Sequence, residues 1–300
     1  TVVNFEAILN IIKNIFDTRD ILDRTVITTD ENSLLWKMAL KKKLTLLPIP
    51  KIVGGRFSVL SAAGLFPLSA AGIDMKNLLR GAGEMRTQCM QRNITKNPAI
   101  ISATILYQHY RKKKIINDNF FFKPELESLG KWYRQLMGES IGKKKNYRGK
   151  KIRIGITPTV SIGSTDLHSV GQLYLGGPDD KITTFINTEA NIATNITHIT
   201  SNIILAQKLF LQGLVENLGS KTTTQIMHAI YAGVKIAYNK RKIPFMEVIL
   251  PDISTYSLGQ FLQFKMMEII YLGYLFQINA FDQPNVEMYK KETRRILKNM

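Results

Sequence analysis

The stretch that decides the fold is residues 25–47, TVITTDENSLLWKMALKKKLTLL. It begins with a β-branched run at residues 25–28, which predicts a strand. ENSLLWKMAL, residues 31–40, then predicts a helix, and residues 44–47 predict a second strand. Strand, helix and strand in this order are typical of a βαβ unit, in which two parallel strands are joined by a helix.

The same alternation continues on both sides of this stretch. Upstream, residues 4–17 have apolar side chains at helical spacing, and downstream, residues 55–70 predict another helix. Three later apolar runs predict strands, at residues 153–160, 182–186 and 246–249, and two predict helices, at residues 203–215 and 258–278. The chain is therefore expected to be an α/β protein with mainly parallel sheets flanked by helices.

The composition changes between residues 81 and 150, where basic runs lie on both sides of an amphipathic helix predicted at residues 124–140. We interpret this part as a helical crossover between two domains. The expected division is residues 1–85, then the crossover at 86–150, and then a second α/β domain at 151–300 that ends in a helix.

Composition excludes several classes of protein. The 300 residues are 45% hydrophobic and 21% charged, which is typical of a globular chain with a real core. The single cysteine, Cys89, excludes an intrachain disulfide and a cysteine-based zinc site, and predicts a reducing compartment, the cytoplasm. The longest uncharged stretch, residues 57–73, contains Pro67 and three serines and is too short to span a membrane.

The formal net charge of +18 predicts attraction to anions. Runs of Lys and Arg are the usual material of phosphate-backbone binding, but none here is interleaved with aromatic residues that would stack on bases. We interpret them as solvated loops and helix ends, and expect no nucleic-acid partner. The runs are residues 41–43, 111–114, 143–145, 150–151 and 240–242.

His168 stands apart from the other three histidines. It lies in SIGSTDLHSVGQLYLGG, residues 161–177, between two predicted strands, where a loop at the edge of a parallel sheet would expose it to a ligand. His109, His198 and His228 have no acidic or cysteine partner at ligand spacing, so we interpret them as core or surface residues.

Glu139 is the candidate base. It closes the predicted helix at residues 124–140, where the negative end of the helix dipole disfavours a carboxylate, and such a placement is tolerated where a reaction needs it. A solvated carboxylate beside three lysines fits the same pattern equally well. Glu127 has a similar Glu-Ser-x-Gly-Lys wording, but we interpret it as structural because it lies inside the helix.

Two further segments contain residues suited to anion binding. Gly54 and Gly55 allow the backbone to approach a ligand closely, and Arg56 beside them is a permanent cation. Near the C-terminus, Asp282 is expected to cap a helix that begins at Pro284. Gln283 and Lys290, seven residues apart, would then lie on one face of that helix; an amphipathic helix with solvated lysines is the alternative.

The order and wording of these segments resemble the phosphoglucose isomerase family, in particular its shorter, bacterial branch, and the similarity extends from Thr1 to the C-terminus. The matching stretches are VGGRFS at 53–58, GES at 138–140 with Gly142-Lys143, STDLHS at 164–169, and FDQP at 281–284 with Lys290. The resemblance implies two sugar-isomerase (SIS) domains and interconversion of glucose 6-phosphate and fructose 6-phosphate through a cis-enediolate, with no metal or organic cofactor.

The resemblance also implies a role for each matched residue. Glu139 would move the proton between C1 and C2, and Arg56 would stabilise the enediolate. His168 would assist ring opening from the neighbouring subunit of a homodimer, and Lys290 would act on the ring-oxygen side. The residues implied to hold the substrate are Gly55, Gln283 and Thr1.

The family's phosphate-binding segments lie upstream of the part matched here, and Thr1 would be the last residue of that loop. We therefore expect the first domain to be incomplete. Two alternative functions remain: a dual glucose/mannose phosphate isomerase, and a non-catalytic regulator that binds phosphosugars, against which the joint presence of Glu139, Arg56, His168 and Lys290 argues.

Overall fold

A computed structural model describes residues 2–188, 203–209 and 216–299, and the chain divides into two units, Thr1–Met75 and Lys76–Met300. In the first unit, β1 and β2 run parallel and pair with Val26 opposite Thr45, so the predicted βαβ unit is confirmed. A 3₁₀ helix covers Gly55–Leu60. The strands are β1 (Val26–Asp30) and β2 (Thr45–Ile49), and the helices are α1 (Val2–Ile12), α2 (Thr18–Asp23), α3 (Leu34–Lys41) and α4 (Ala62–Ala70).

Side-chain caps explain where these helices begin. The Oγ of Ser33 accepts a hydrogen bond from the backbone N–H of Trp36 at 3.1 Å, which starts α3 three residues later than predicted. The helix predicted at residues 4–17 ends at Ile12, and Asp17 instead caps α2 by accepting the N–H of Asp20 at 2.8 Å. The apolar periodicity of residues 4–17 therefore continued past a real helix end.

The second unit contains the larger sheet. Its strands are β3 (Ile116–Phe121), β4 (Lys143–Lys145), β5 (Lys151–Ile154), β6 (Thr157–Ile162), β7 (Lys181–Thr188) and β8 (Phe245–Leu250). Its helices are α5 (Met75–Cys89), α6 (Pro98–Arg111), α7 (Glu127–Ile141), α8 (Gly171–Gly176), α9 (Thr223–Arg241), α10 (Thr255–Phe276) and α11 (Glu287–Lys298). Short 3₁₀ turns cover Ile94–Lys96, Pro124–Leu126, Thr165–His168 and Pro284–Val286.

The sheet has the strand order β6-β3-β7-β8, and all its pairs are parallel. On one face Phe120 and Phe185 pack against Tyr231 and Tyr238 of α9. On the other face Phe121 and its neighbours pack against α10. Helices thus cover both faces of a parallel sheet, and the predicted α/β fold class is confirmed.

The central strand β3 was not predicted, because Asn117, Asp118 and Asn119 interrupt the apolar pattern. All three are nevertheless fully buried. Residues 86–150 therefore contribute a strand to the same sheet as the chain that follows, and the structure sets the boundary between its two units at Met75. The three-part division at 85 and 150 stays a prediction about domains.

Two predicted elements differ from the structure in instructive ways. The strand expected at residues 153–160 is divided: β5 pairs antiparallel with β4, and β6 begins at Thr157 and joins the main sheet. The helix expected from residue 203 is wrong for residues 203–209, where the N–H of Leu205 donates to the carbonyl of Lys221 at 2.9 Å. Residues 210–215 lie outside the described part.

The long helix α10 confirms the helix predicted at residues 258–278, but it contributes two charged residues to a buried cluster. The Lys265 amine lies 2.9 Å from the Glu268 carboxylate, and neither side chain has any exposed surface. Tyr133 of α7 and Ser102 of α6 donate hydrogen bonds to the same carboxylate. This cluster joins three helices. Among the described residues no helix is long and apolar enough to cross a membrane.

Candidate active site

Glu139 lies in the last turn of α7 and is half-buried. One carboxylate oxygen accepts a hydrogen bond from the side-chain amide of Gln135, one turn earlier, at 3.1 Å. The backbone carbonyl of Glu139 accepts a hydrogen bond from the Lys143 amine at 3.0 Å. The carboxylate thus lies at the negative end of the helix dipole, as the sequence predicted.

Lys143 connects the end of α7 with Asp282, which lies 139 residues after Lys143 in the sequence. Its amine, besides binding the end of α7, lies 3.0 Å from the Asp282 carboxylate and donates to the Asp282 backbone carbonyl. The Lys143 side chain is only 5% exposed. The Glu139 turn and residues 281–284 are therefore joined by one buried cation, beside a cavity of about 490 Å³ lined by Lys143–Lys145, Asn279, Asp282 and Pro284, among others.

The interpretation of every basic run as solvated is wrong at two positions. Lys143 is buried as just described, and Lys114 is also buried and forms an ion pair with Asp179. A buried lysine needs charged or carbonyl partners to offset its lost hydration. The sequence of a basic run does not show which of its lysines is buried. The residues on either side of Lys143 carry no signal that its side chain points inward.

The C-terminal segment differs from its prediction. Asp282 does not cap the helix, because its carboxylate pairs with Lys143 and accepts the side-chain amide of Asn279 at 3.2 Å. Gln283 occupies the cap position of the 3₁₀ turn Pro284–Val286, and α11 begins only at Glu287. Gln283 and Lys290 therefore do not share one helix face. Lys290 pairs with Glu287 at 2.8 Å, and this hydrogen bond raises the pKa of Lys290.

His168 ends the 3₁₀ turn that follows β6, and its side chain is exposed, as predicted for a loop at the sheet edge. Asp166 closes this loop by accepting the N–H of Ile162 at 2.7 Å and the hydroxyl of Ser169 at 2.8 Å. Leu167 and Val170 pack on the aromatic cluster beneath. The apolar neighbours face inward, and His168 therefore faces solvent.

Glu139 and His168 lie at opposite edges of the sheet. The first part of α7 packs on the ends of β3 and β6, where a Cβ on Gly130 would meet Phe121 at 2.6 Å and Val160 at 2.7 Å. The end of α7 packs near the start of β6, since a Cβ on Gly138 would lie 3.8 Å from Pro158. The five steps from Thr157 to Ile162, about 17 Å at 3.3 Å per step, separate this edge from the loop that contains His168.

The Gly-Gly-Arg segment lies in the first unit, at the start of the 3₁₀ helix Gly55–Leu60. Gly55 is exposed, and a Cβ added to it would meet nothing within 4 Å, so its backbone is open to a ligand. Arg56 is 2% exposed, and its guanidinium carbon lies 5.4 Å from the centroid of the Phe57 ring. The segment therefore combines an accessible backbone with a buried cation.

The remaining candidates named from the sequence differ in exposure and partners. Glu127 forms an exposed ion pair with Lys131 at 2.7 Å in the first turn of α7, the favourable end of the helix for an acid. His109 and His228 are half-buried within helices, and burial lowers the pKa of His109. Thr1 and His198 lie outside the described residues. Within the described part, no three His, Cys, Asp or Glu side chains are grouped to hold a metal ion.

The chain is similar to known proteins along its whole length. The family model described as phosphoglucose isomerase matches residues 1–300. A glucose-6-phosphate isomerase of Carboxydothermus hydrogenoformans is 34% identical over 92% of this chain, and one of Methanocaldococcus jannaschii is 33% identical over 88%. The chain spans 58% and 61% of the lengths of these two curated relatives.

Solved structures agree with the fold. A hypothetical protein from Thermus thermophilus superposes with a TM-score of 0.88 at 29% identity, over 99% of this chain and 68% of that one. A glucose-6-phosphate isomerase from Chlamydia trachomatis superposes with a TM-score of 0.81 at 20% identity, over 100% of this chain and 57% of that one. With the family model matching from the first residue to the last, the chain belongs to the phosphoglucose isomerase family.

Proposed function

We propose that this protein is a glucose-6-phosphate isomerase that interconverts glucose 6-phosphate and fructose 6-phosphate in glycolysis and gluconeogenesis. The observation that carries the proposal is the junction at Lys143. Its amine binds the turn that contains Glu139 and also binds Asp282, the neighbour of Gln283. The candidate base and a candidate substrate-binding residue are thereby held at one edge of one sheet.

Glu139 is proposed to move the proton between C1 and C2 of the open-chain sugar. A proton α to a carbonyl is removed by a carboxylate within hydrogen-bond reach, and a positioned base contributes about 10²–10⁴-fold to such a rate. Half-burial and the hydrogen bond from Gln135 orient the Glu139 carboxylate. The electron pair left on C2 forms the C1–C2 double bond while the carbonyl π pair moves onto O1, which gives the enediolate, and Glu139 then returns the proton to C1.

Arg56 is proposed to stabilise the negative charge of that enediolate. A guanidinium remains charged at every working pH, and a fixed donor at a developing oxyanion supplies about 3–4 kcal/mol. The buried position of Arg56 suits this role, because a cation with little access to water keeps more of its electrostatic effect. Gly55, with its open backbone, is proposed to hold the substrate.

His168 is proposed to assist ring opening from a second copy of the chain, in a homodimer. Within one chain, the sheet separates His168 from Glu139, as described above for the two ends of β6. Two groups at opposite edges of a sheet do not reach one small sugar. The exposed position of His168 supports its action on a neighbouring subunit.

Lys290 is proposed to act on the ring-oxygen side, and Gln283 and Thr1 to hold the substrate. Lys290 pairs with Glu287 on the surface of α11, and this pair would have to exchange for substrate. The phosphorylated sugar is the proposed anionic partner of this basic chain, in the cytoplasm, with no nucleic acid or membrane involved. A dual glucose/mannose phosphate isomerase is a close variant of the same proposal, since mannose 6-phosphate differs from the glucose ester only in configuration at C2.

The two glutamates of α7 provide the test. Conversion of fructose 6-phosphate is followed by coupling to a glucose-6-phosphate dehydrogenase, with the chain alone and joined to the part of a curated relative that it does not span. Glu139→Gln is expected to lower kcat by at least 10²-fold, whereas Glu127→Gln changes it less than twofold. Equal effects of the two substitutions would contradict the assignment of the base, and no turnover by either wild-type form would contradict the activity.

A further inference from the structure

The segment that contains His168 is tied to the core at both of its ends. We call residues 162–176 the His168 segment; it begins at the end of β6 and finishes at the end of α8. Ser161 directly precedes it, and Tyr174 lies in its final helix. The side chains of these two residues meet at a single carboxylate, that of Asp118.

Asp118 lies in the middle of β3 and is fully buried. Its Oδ1 accepts three hydroxyl hydrogen bonds, from Thr159 at 2.6 Å, Ser161 at 3.0 Å and Tyr174 at 2.9 Å. The Oδ2 atom is buried and has no hydrogen-bond partner among the described residues. Burial raises the pKa of Asp118. An acidic residue buried at the centre of a sheet is costly, and three converging hydroxyls indicate a specific use.

The positions of the three hydroxyls show which elements Asp118 binds. Thr159 and Ser161 belong to β6, the strand that leads into the segment. Tyr174 belongs to α8, the last part of the segment, and its hydroxyl also lies 3.4 Å from that of Ser161. Asp118 therefore fastens the entry and the exit of the segment to the central strand, while Asp166 closes the loop between them.

Apolar packing beneath the segment leaves a gap. A cavity of about 250 Å³ lies beneath it, lined by Leu167 and Tyr174 from the segment and by Tyr238 and others from the core. Close-packed interiors hold side chains in place through contacts that a cavity removes. Directional hydrogen bonds at the two ends supply the constraint that packing leaves out.

We propose that Asp118 is a positioning residue that holds the His168 segment in the conformation in which His168 faces outward. The proposal rests on the proposed function only for the role of His168 in ring opening. Asp118 does not touch substrate; it acts through Ser161 and Tyr174.

The mildest test removes one hydroxyl. Tyr174→Phe deletes the bond between α8 and Asp118 but keeps the ring in the aromatic cluster. Asp118→Ala removes the acceptor, and Asp118→Asn restores an oxygen that can accept the same hydroxyls. The matched control is Thr183→Val. Thr183 lies opposite Asp118 on the neighbouring strand, and its buried hydroxyl contacts Tyr238 and not the His168 segment.

Two measurements are made on each folded variant: amide hydrogen exchange at Val170 and Tyr174, and kcat and KM for fructose 6-phosphate. Tyr174→Phe and Asp118→Ala are expected to reduce protection of these amides at least tenfold and to lower kcat about tenfold with KM changed less than twofold. Asp118→Asn and Thr183→Val are expected to stay within twofold of wild type in both measurements.

Each outcome decides the proposal. Unchanged protection in Tyr174→Phe overturns it, as does an equal loss in Thr183→Val, and Tyr174→Phe keeps this test available if Asp118→Ala does not fold. Lowered protection with unchanged kcat overturns the link to His168. If wild-type protein has no isomerase activity, the proposed function fails, while hydrogen exchange still decides whether Asp118 holds the segment.

Discussion

The two edges of the large sheet each present one candidate catalytic group, but they are stabilised differently. At the edge where the strands begin, Lys143 holds the Glu139 turn through an ion pair and carbonyl hydrogen bonds. At the edge where they end, the His168 segment is held by neutral hydroxyls on a buried carboxylate and by apolar contacts. The first edge depends on a cation, and the second on packing and a buried acid.

The two edges also differ in how far apart in the sequence their residues lie, which made the contacts of one edge harder to predict than those of the other. The Glu139 edge is assembled from residues 139 and 282, far apart in sequence, and only the fold brings them together. The His168 edge is local, since Ser161, Asp166, His168 and Tyr174 lie within fourteen residues. Asp118, a distant contributor to this edge, is a residue that the sequence did not indicate.

The largest expected effect is at the Glu139 edge. Lys143→Met keeps the buried apolar stem but removes the charged donor from Asp282 and from the end of α7. We expect the free energy of unfolding to fall by about 2–3 kcal/mol, because hydrogen bonds to charged groups contribute about 1.5–3 kcal/mol. Urea denaturation measures the loss. Lys144→Met, at the exposed neighbouring position, should change stability by less than about 0.5 kcal/mol.

A comparable loss from both lysines would mean that the Glu139 edge is not held by a specific buried cation. In that case the contrast between the two edges would disappear, and the high lysine content alone would account for the stability of the β4 region.

A smaller effect is expected at the His168 edge. A Cβ on Gly163 would lie 2.7 Å from the ring of Phe122, which is buried in the aromatic core. Gly163→Ala should therefore destabilise the protein by about 2 kcal/mol through overpacking. Gly171→Ala, in the same segment, meets nothing within 4 Å and should be neutral or slightly stabilising, since alanine favours the helix. Thermal unfolding of both variants compares them; equal melting temperatures would show that packing does not fix this segment.

The smallest effect concerns pH. Burial raises the pKa of Asp118 in the folded protein above that in the unfolded chain. Its contribution to stability is therefore complete below about pH 4, the ordinary carboxyl value, and is lost as pH rises through the raised native pKa. The loss is about 1.4 kcal/mol for each unit by which the two pKa values differ.

Asp118→Asn removes this titration. The difference in unfolding free energy between wild type and the variant should shift in favour of the variant as pH increases, and urea denaturation over a series of pH values measures it. A difference that is constant with pH would contradict an acid of raised pKa at this position.

Much of the fold followed from the sequence because β-branched runs and helical periodicity mark elements that bury one apolar face, as in β1, α3, β7 and α10. The central strand β3 was not predicted, because Asn117, Asp118 and Asn119 are polar yet buried. Only tertiary hydrogen bonds make this burial possible. Helix ends were misplaced where a cap decided them, at Asp17 and Ser33.

The candidate site shows the same limit. The positions of Glu139 at a helix end and of His168 in an edge loop were predicted correctly from local pattern. The pairing of Asp282 with Lys143 was not, because the capping preference of an aspartate is weaker than its attraction to a buried lysine from another element. Local residue preferences thus describe elements well and describe contacts between elements poorly.

The most direct test of the shared site combines two inactive variants. Glu139→Gln and His168→Ala are prepared separately, mixed, dissociated and reassociated, and the mixture is assayed with fructose 6-phosphate. If Glu139 and His168 act together across a homodimer, mixed dimers contain one intact site, and the mixture should regain about a quarter of wild-type activity when the two variants pair at random. Activity no greater than the average of the two variants alone would contradict a site shared between subunits.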